Sequence, residues 1–429
     1  MFTSTTLLIS LCIAFGSPCY NAQPVESDLN GTLSFTAMND SQVLVGMLDG
    51  TTNRMVVWED GEVVTEVTSF YESYGVLINN EGVAAGLGNN GIFQDDRLIR
   101  ANTSGTFEIL ATITGSGGWS SLTAMNEQGS IVGNYSGGSG SSDWQPFVWT
   151  DETGLEFLGS NKTTAYVRDI DHNNVVTGFL EVDGTYHAML WDGGVAIDLA
   201  MQLGLKGNSS GWYFDDQGRV LISEYLDSET RFQWYDPSDS SLVEIHTFPF
   251  GSYTLRVVAS GNGRVAFSWS TFESEVYLAR WTHEAGFEFA ELDTDVVGTS
   301  AMGINDQGKV ACGALILPFY ESIAMIWDDG IAPVSLHDLI PDTPMSTFAI
   351  TITSQGDVLV RGDASNWILQ LGCSGDIDHD GEVSVNDLLI MLSQWGTDGG
   401  GSCGSDLDAS GVIDVGDVLA LIGQWGSCE

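Results

Sequence analysis

Near the C-terminus, two stretches thirty residues apart place oxygen-bearing side chains at alternate positions. The first carries Asp376, Asp378, Asp380, Ser384 and Asp387, with Gly381 and Glu382 between them. The second carries Asp406, Asp408, Ser410, Asp414 and Asp417, with Gly411 and Val412 between them. Counted from the first aspartate, the oxygens fall at positions 1, 3, 5, 9 and 12 and the glycine at 6, the grammar of a calcium loop. Calcium is a hard cation that takes roughly six to eight oxygens, so alternate residues must turn inward. Glycine at 6 permits the sharp turn because it has no Cβ to clash. Position 7 contributes only its backbone carbonyl, so Glu382 and Val412 can both serve. Asp at position 12, in place of the usual Glu, shortens the reach of the last ligand. The pattern predicts two bound calcium ions; the plainer alternative is a pair of Asp/Gly-rich surface turns.

The elements that position these loops are duplicated in the same frame. Leu388 to Gly396 reads LLIMLSQWG, and Val418 to Gly426 reads VLALIGQWG. Each loop therefore leads into one short apolar helix rather than a helix pair. Residues 373–429 contain no Lys or Arg, so without a cation their carboxylates repel, and metal binding is expected to couple to folding. With the ending Trp425-Gly426-Ser427-Cys428, the segment resembles a type I dockerin, and more closely the GC-type dockerin-like domain. That resemblance implies two calcium ions, two antiparallel loop–helix repeats, and attachment through a cohesin-like or cell-surface protein partner. The positions before each twelfth residue hold Val385-Asn386 and Val415-Gly416, not the Ser/Thr recognition pair usual in cellulosomal dockerins. Cys373, Cys403 and Cys428 allow a Cys373–Cys428 or a Cys403–Cys428 disulfide.

Net charge is −45, from 58 acidic against 13 basic residues. Such a field repels nucleic acid and anionic membranes, so both are poor partner candidates. Leu7 to Phe15 is a short apolar run followed by Gly16-Ser17-Pro18, so residues 1–22 read as a signal peptide with cleavage near Ala22. No later stretch approaches the roughly 18 apolar residues of a bilayer-spanning helix. The expected location is secreted, extracellular or on the cell surface, where disulfides form. Cys312, inside an apolar strand-like run, reads as a buried free thiol.

The long middle is an array. An apolar-(Asn/Asp)-x-x-Gly-x-Val turn recurs, centred on Gln42, Gly82, Gly129, Asn174, Gly218, Gly263, Gly308 and Gly356, at spacings of 40 to 48 residues. An aromatic follows each turn: Trp58, Phe93, Trp149, Trp191, Trp234, Trp281, Trp327 and Trp367. Most end a short apolar strand, and several are followed by an Asp-Gly type turn. Units of about 40–45 residues with three or four strands are the signature of β-propeller blades. The fold class is therefore mainly β: a propeller over 25–371, of about eight blades or alternatively seven, then a small α-helical calcium-binding domain over 373–429. A sandwich or β-solenoid is the structural alternative. The last unit has about three strands, and residues 25–32 are expected to supply the fourth. The copy His187-Ala188-Met189-Leu190-Trp191 resembles the extracellular HAF repeat family, which implies a propeller-like domain without established chemistry.

No arrangement singles out catalytic residues. The six histidines (His172, His187, His246, His283, His337 and His379) are scattered one to a region, and no phosphate loop, zinc motif or nucleophile elbow occurs. Trp119 and Trp144 sit in Gly/Ser-rich loops and could stack on a carbohydrate ligand. Three functional classes follow. The first is a secreted binding or interaction propeller displayed on a calcium-dependent dockerin-like anchor. The second is a polysaccharide-degrading enzyme, a glycoside hydrolase or lyase, carried by a dockerin. The third is a structural cell-surface protein.

Overall fold

A computed structural model describes residues 19–25, 29, 31–91, 95–113, 119–136, 144–159, 164–249, 253–271, 273–328, 332–340, 345–363, 365–372, 375–378, 382–397, 405–407 and 410–427. The chain divides into a large compact unit, Pro24–Ile368, and a smaller one that includes Leu369–Glu429.

Eight four-stranded antiparallel sheets follow one another along the chain. Blades 1 to 7 span 32–66, 72–113, 119–157, 165–198, 208–249, 253–289 and 296–335. Blade 8 takes three strands from 347–372 and its fourth from Cys19–Val25. This corrects the expectation that residues 25–32 would close the ring: the closing strand lies earlier in sequence. Tyr20 and Val25 on that strand are both buried. The count is eight, not seven, and the architecture is a β-propeller. The five-residue helix α1 (Leu199–Leu203), capped by Asp198 accepting from Met201 N at 2.8 Å, interrupts the array after blade 4.

Each blade is too thin to bury both faces, so the cores lie between blades. Val45, Met55 and Val57 of blade 1 pack on Ala84, Ile99 and Ala101 of blade 2. Phe232 and Trp234 of blade 5 pack on Phe267 and Trp281 of blade 6. The recurring tryptophans Trp58, Trp149, Trp191, Trp234, Trp281, Trp327 and Trp367 are all buried. Phe93, the aromatic expected in blade 2, lies outside the described residues. In that blade Ala101, opposite Ala84, takes the register position that Trp149 holds opposite Ile131 in blade 3.

The turns between the first and second strands of every blade repeat one device. The turn's central residue has φ from 60° to 104° at Gln42, Gly82, Gly129, Asn174, Gly218, Gly263, Gly308 and Gly356, the left-handed region that glycine and asparagine tolerate best. Three residues earlier stands Asn39, Asn79, Asn126, Asp171, Asp215, Ser260, Asn305 or Thr353. Each of these side chains accepts a hydrogen bond from the backbone N–H four residues on, at 2.8 to 3.2 Å. The asparagines also donate to the next blade: Asn39 to Asn79 O at 2.9 Å, Asn79 to Asn126 O at 3.2 Å, Asn126 to Asp171 O at 2.9 Å, and Asn305 to Thr353 O at 3.3 Å. The ring joins its ends in the same way, with Ser354 N donating to Asp40 at 2.7 Å and Gln42 to Asp357 at 2.8 Å.

The first strand of each blade is bulged or irregular, as between Phe35 and Ala37 or Val167 and Asp169. In blades 1 to 4 the glycine that ends the sequence repeat (Gly46, Gly86, Gly133, Gly178) lies beneath a first-strand carbonyl. A Cβ there would collide with the O atom of Ser34, Tyr74, Ser121 or Tyr166.

Candidate functional site

The two acidic loops fold as one repeated unit. Helix α2 (Val385–Ser393) begins at Ser384 and helix α3 (Val415–Gly423) at Asp414. Both open with a capping box, in which Asp387 and Asp417 reach back to the N-cap N–H at 2.7 Å. Helices of nine residues are marginal alone, so packing must hold them. Their shared core consists of Val383, Met391, Ile413 and Leu421, flanked by Ile377, Leu388, Leu407 and Val418. These are four pairs thirty residues apart. The repeats also pair reciprocally. Val383 lies opposite Gly426 in a short antiparallel ladder, while Ile413 donates to Thr397 O at 2.8 Å and accepts from Gly396 N at 3.0 Å.

In the first loop, carboxylate oxygens of Asp376, Asp378 and Asp387 all lie within 4.8 Å of one another. Asp376 and Asp387 are buried and Asp378 is exposed. Asp387 accepts from Ile377 N at 2.6 Å, Asp378 N at 3.1 Å and Ser384 N at 2.7 Å. Burial works to raise its carboxyl, but these backbone donors outweigh it and hold the group below the ordinary carboxylate range. Glu382 is exposed on the short strand that follows, and Ser384 serves as the N-cap.

In the second loop Asp417 is fully buried, like Asp387. Asp406 accepts from Ser410 N at 3.0 Å and Gly411 N at 2.8 Å, and Gly411 has φ 84°. Ser410 Oγ donates to Val412 O at 3.0 Å. Asp414 is exposed and accepts from Gly416 N at 2.6 Å. Asp380, Asp408 and the three cysteines Cys373, Cys403 and Cys428 lie outside the described residues. The donor set is all oxygen, three carboxylates converge in the first loop, and no Lys or Arg occurs in 373–429. That chemistry fits calcium.

The outer face of this unit went unread in the sequence. Val385, Leu389, Leu392 and Trp395 on the first repeat, and Val415, Leu419, Ile422 and Trp425 on the second, are 45 to 64 % exposed. Their spacing of four, three and three residues was visible as a second apolar stripe on each helix.

The remaining predicted residues take structural places. His187 Nδ1 lies 2.8 Å from Asp198, His246 stacks on Phe287 at 3.9 Å, and His283 lies 2.9 Å from Arg219. His379 is outside the described residues. Trp119 is 78 % exposed, while Trp144 meets Tyr166 edge-on at 5.8 Å. Cys312 is a buried free thiol whose pKa burial pushes up to about 12. Among the described residues, no helix is long and apolar enough to cross a membrane.

No family model matches this chain, and no curated protein matches it. Solved structures do. The chain is similar to the Dos1 propeller, with 10% identity over 83% of this chain and 95% of that one, and a TM-score of 0.52. It is also similar to a chain from a study of two prolyl endopeptidases, with 10% identity and a TM-score of 0.53 over 77% of this chain. It spans about half the length of that endopeptidase chain, 54%. Likeness at this identity shows the fold alone, a β-propeller.

Proposed function

We propose that the protein is a secreted binding protein whose propeller is displayed through a calcium-dependent, dockerin-like C-terminal domain. The observation that carries this reading is the doubled apolar face on α2 and α3. Eight large apolar side chains stand in solvent on a unit with a very small core, and all of them obey the thirty-residue repeat. An exposed apolar patch of this kind marks a protein–protein contact. Two similar stripes give a partner two similar ways to dock. A cohesin-like or cell-surface protein is the partner this reading requires.

Calcium completes the unit. In the first loop Asp376, Asp378, Asp380, Ser384 and Asp387, with the carbonyl of Glu382, would hold one ion. In the second, Asp406, Asp408, Ser410, Asp414 and Asp417, with the carbonyl of Val412, would hold the other. The ions would neutralise the carboxylates and so fix the loops from which the helices start. In this reading the leader ends before the closing strand Cys19–Val25, earlier than the cleavage near Ala22 expected from the sequence, because a cut near Ala22 would remove half of that strand.

The test is calcium calorimetry on the full chain together with fractionation of expressing cells. Two calcium sites and a calcium-dependent attachment to the cell surface are expected. The double variant Leu389→Asp/Leu419→Asp should keep both calcium sites and be released into the medium. Unchanged attachment of that variant, or no calcium binding, would overturn the reading.

A further inference from the structure

A cavity of about 500 Å³ opens where blades 2 and 3 meet. Val83, Arg100, Asn102, Glu108, Glu127 and Gly129 line it. Its origin shows in the repeat. The residue after the positive-φ turn residue is Arg219 in blade 5 and Arg264 in blade 6, but Val83 in blade 2. Both arginines reach across to the following blade. Arg219 Nη1 lies 2.9 Å from His283 Nε2, and Arg264 Nη1 donates to Asp306 O. Each guanidinium fills the space beside the next turn glycine. A Cβ on Gly263 would stand 2.7 Å from Arg219 Nη2, and one on Gly308 would stand 3.4 Å from Arg264 Nη1. Gly129 is the glycine that follows blade 2 in this way, and a Cβ there would meet only Arg100 Nη1, at 3.9 Å. Blades 1, 3 and 4 also hold a small residue at that position, Val43, Ser130 or Val175. The valine alone therefore makes no site; the charges around it do.

Those charges are unbalanced. Arg100 is already committed: its Nε donates to Glu108 at 2.8 Å, its two Nη atoms donate to Asp151 at 3.2 Å, and its face covers Trp149 at 5.0 Å. Blade 6 carries the same pair, Arg280 donating to Glu288 at 3.0 Å over Trp327 at 4.5 Å. There a second cation, Lys309, holds Asp328 at 2.7 Å, and Arg264 stands on the turn of blade 7. Blades 2 and 3 have Ser130 in place of Lys309 and Val83 in place of Arg264. One arginine thus stands against Glu108, Asp151 and Glu127. Glu127 accepts from Asn80 N at 3.0 Å and, among the described residues, pairs with no cation. Burial, with Glu81 and Asp40 nearby, holds its carboxyl above the ordinary carboxylate range.

A carboxylate beside a space of guanidinium size is matched by a planar cation that offers two parallel N–H bonds. The cavity has room for that group and a short stem. The field of a chain of net charge −45 draws cations and repels anionic ligands. We propose that the cavity between blades 2 and 3 binds the guanidinium group of a ligand, either a free small molecule or the arginine side chain of a peptide. The group takes the place that Arg264 fills from within the chain between blades 6 and 7, with Glu127 as its counter-charge.

This rests on the reading of the propeller as the binding part of the protein, and its test is separable from that of the docking face. Calorimetry would use the full, calcium-saturated chain at about 0.15 M salt, which screens the general field of its surface. Butylguanidinium is the free probe, N-acetylarginine amide the peptide-borne one, and butylurea the uncharged control of the same shape. At least one guanidinium probe should bind and butylurea should not; which of the two binds more tightly identifies the source. Val83→Arg should abolish binding by filling the space from within. Glu127→Gln should weaken it by roughly tenfold. Glu284→Gln, beside Arg264 at the other joint, should leave it unchanged. Glu127 is exposed, so its variant keeps the test valid if Val83→Arg folds poorly. No binding of either guanidinium probe at millimolar concentration would overturn the site. So would equal binding of butylurea, or undiminished binding in Glu127→Gln or in folded Val83→Arg. Calcium binding and surface attachment retained in those variants would leave the C-terminal reading standing either way.

Discussion

The propeller and the C-terminal unit are both built by repeating a short polar motif, yet they satisfy its polar groups in opposite ways. In the propeller, each turn's Asn, Asp, Ser or Thr is answered by backbone of its own turn, and the asparagines also reach the next blade. In the C-terminal unit, Asp376, Asp378 and Asp387 face one another with no Lys or Arg in the segment. A repeat answered by the chain itself makes a self-sufficient ring. A repeat whose carboxylates face each other keeps a negative charge even where backbone N–H groups bond to Asp387 and Asp406, and under the proposed function an ion offsets that charge. The comparison therefore turns on where stability resides, and it can be broken experimentally.

The largest effect should come from removing calcium. With calcium at about a thousand times its dissociation constant, each site would stabilise its fold by about 4 kcal/mol. Chelation should then abolish protection of amides in 385–423 in hydrogen exchange while leaving the blade strands protected. Asp387→Ala should lose the first site and its protection even with calcium present. Equal loss of protection in the blades would erase the contrast between the two regions.

The converse break lies in the turn ring. Asn126 accepts from Ser130 N and donates to Asp171 O and Asn174 Oδ1, all at 2.9 Å. Asn126→Ala would leave buried backbone groups unpaired at a blade joint and should cost about 2–4 kcal/mol. The expected result is a lower urea midpoint for the propeller transition with calcium affinity unchanged. Asn126→Asp, which keeps the acceptor and loses the donor, should fall between the two, because Asp171 already fills this role in the next blade.

These two regions were unequally legible in the sequence, for physical reasons. Turn chemistry is local, so the positive-φ positions Gly82, Gly129 and Gly218 marked the blades and their number. The loop grammar and the thirty-residue frame likewise gave α2, α3 and the pairing of Asp387 with Asp417. Long-range partners were not legible. The strand that completes blade 8 pairs with residues near 370, and nothing local at 19–25 or 25–32 decides between the two segments. In blade 2 the ladder puts Ala101 at the place that tryptophan holds in other blades, and aromatic identity read without register could not show this. Arg168 looked like any strand arginine until the bulge set it over Trp212.

The smallest of these effects, and the one that sharpens the contrast furthest, is in pH. Asp169 on the first strand of blade 4 accepts from Ile170 N at 2.9 Å and Phe214 N at 2.7 Å. Burial nonetheless raises its pKa from 3.8 to about 7. Between those values the folded chain keeps a proton that the unfolded chain has lost. Its contribution is therefore fully present below about pH 4 and is withdrawn as pH rises to about 7. Asp387 runs the other way. Its carboxyl is held low in the folded state, so its contribution is present above the ordinary carboxylate range and is lost as pH falls. Raising the pH from 5 to 8 should then weaken the propeller through Asp169, on the order of 1–3 kcal/mol, with no corresponding loss at Asp387. Asp169→Asn should flatten the thermal midpoint of the propeller against pH over that window. An unchanged slope in the variant would mean that the carboxylate is ionised in the fold and that Arg168, one residue away, answers it.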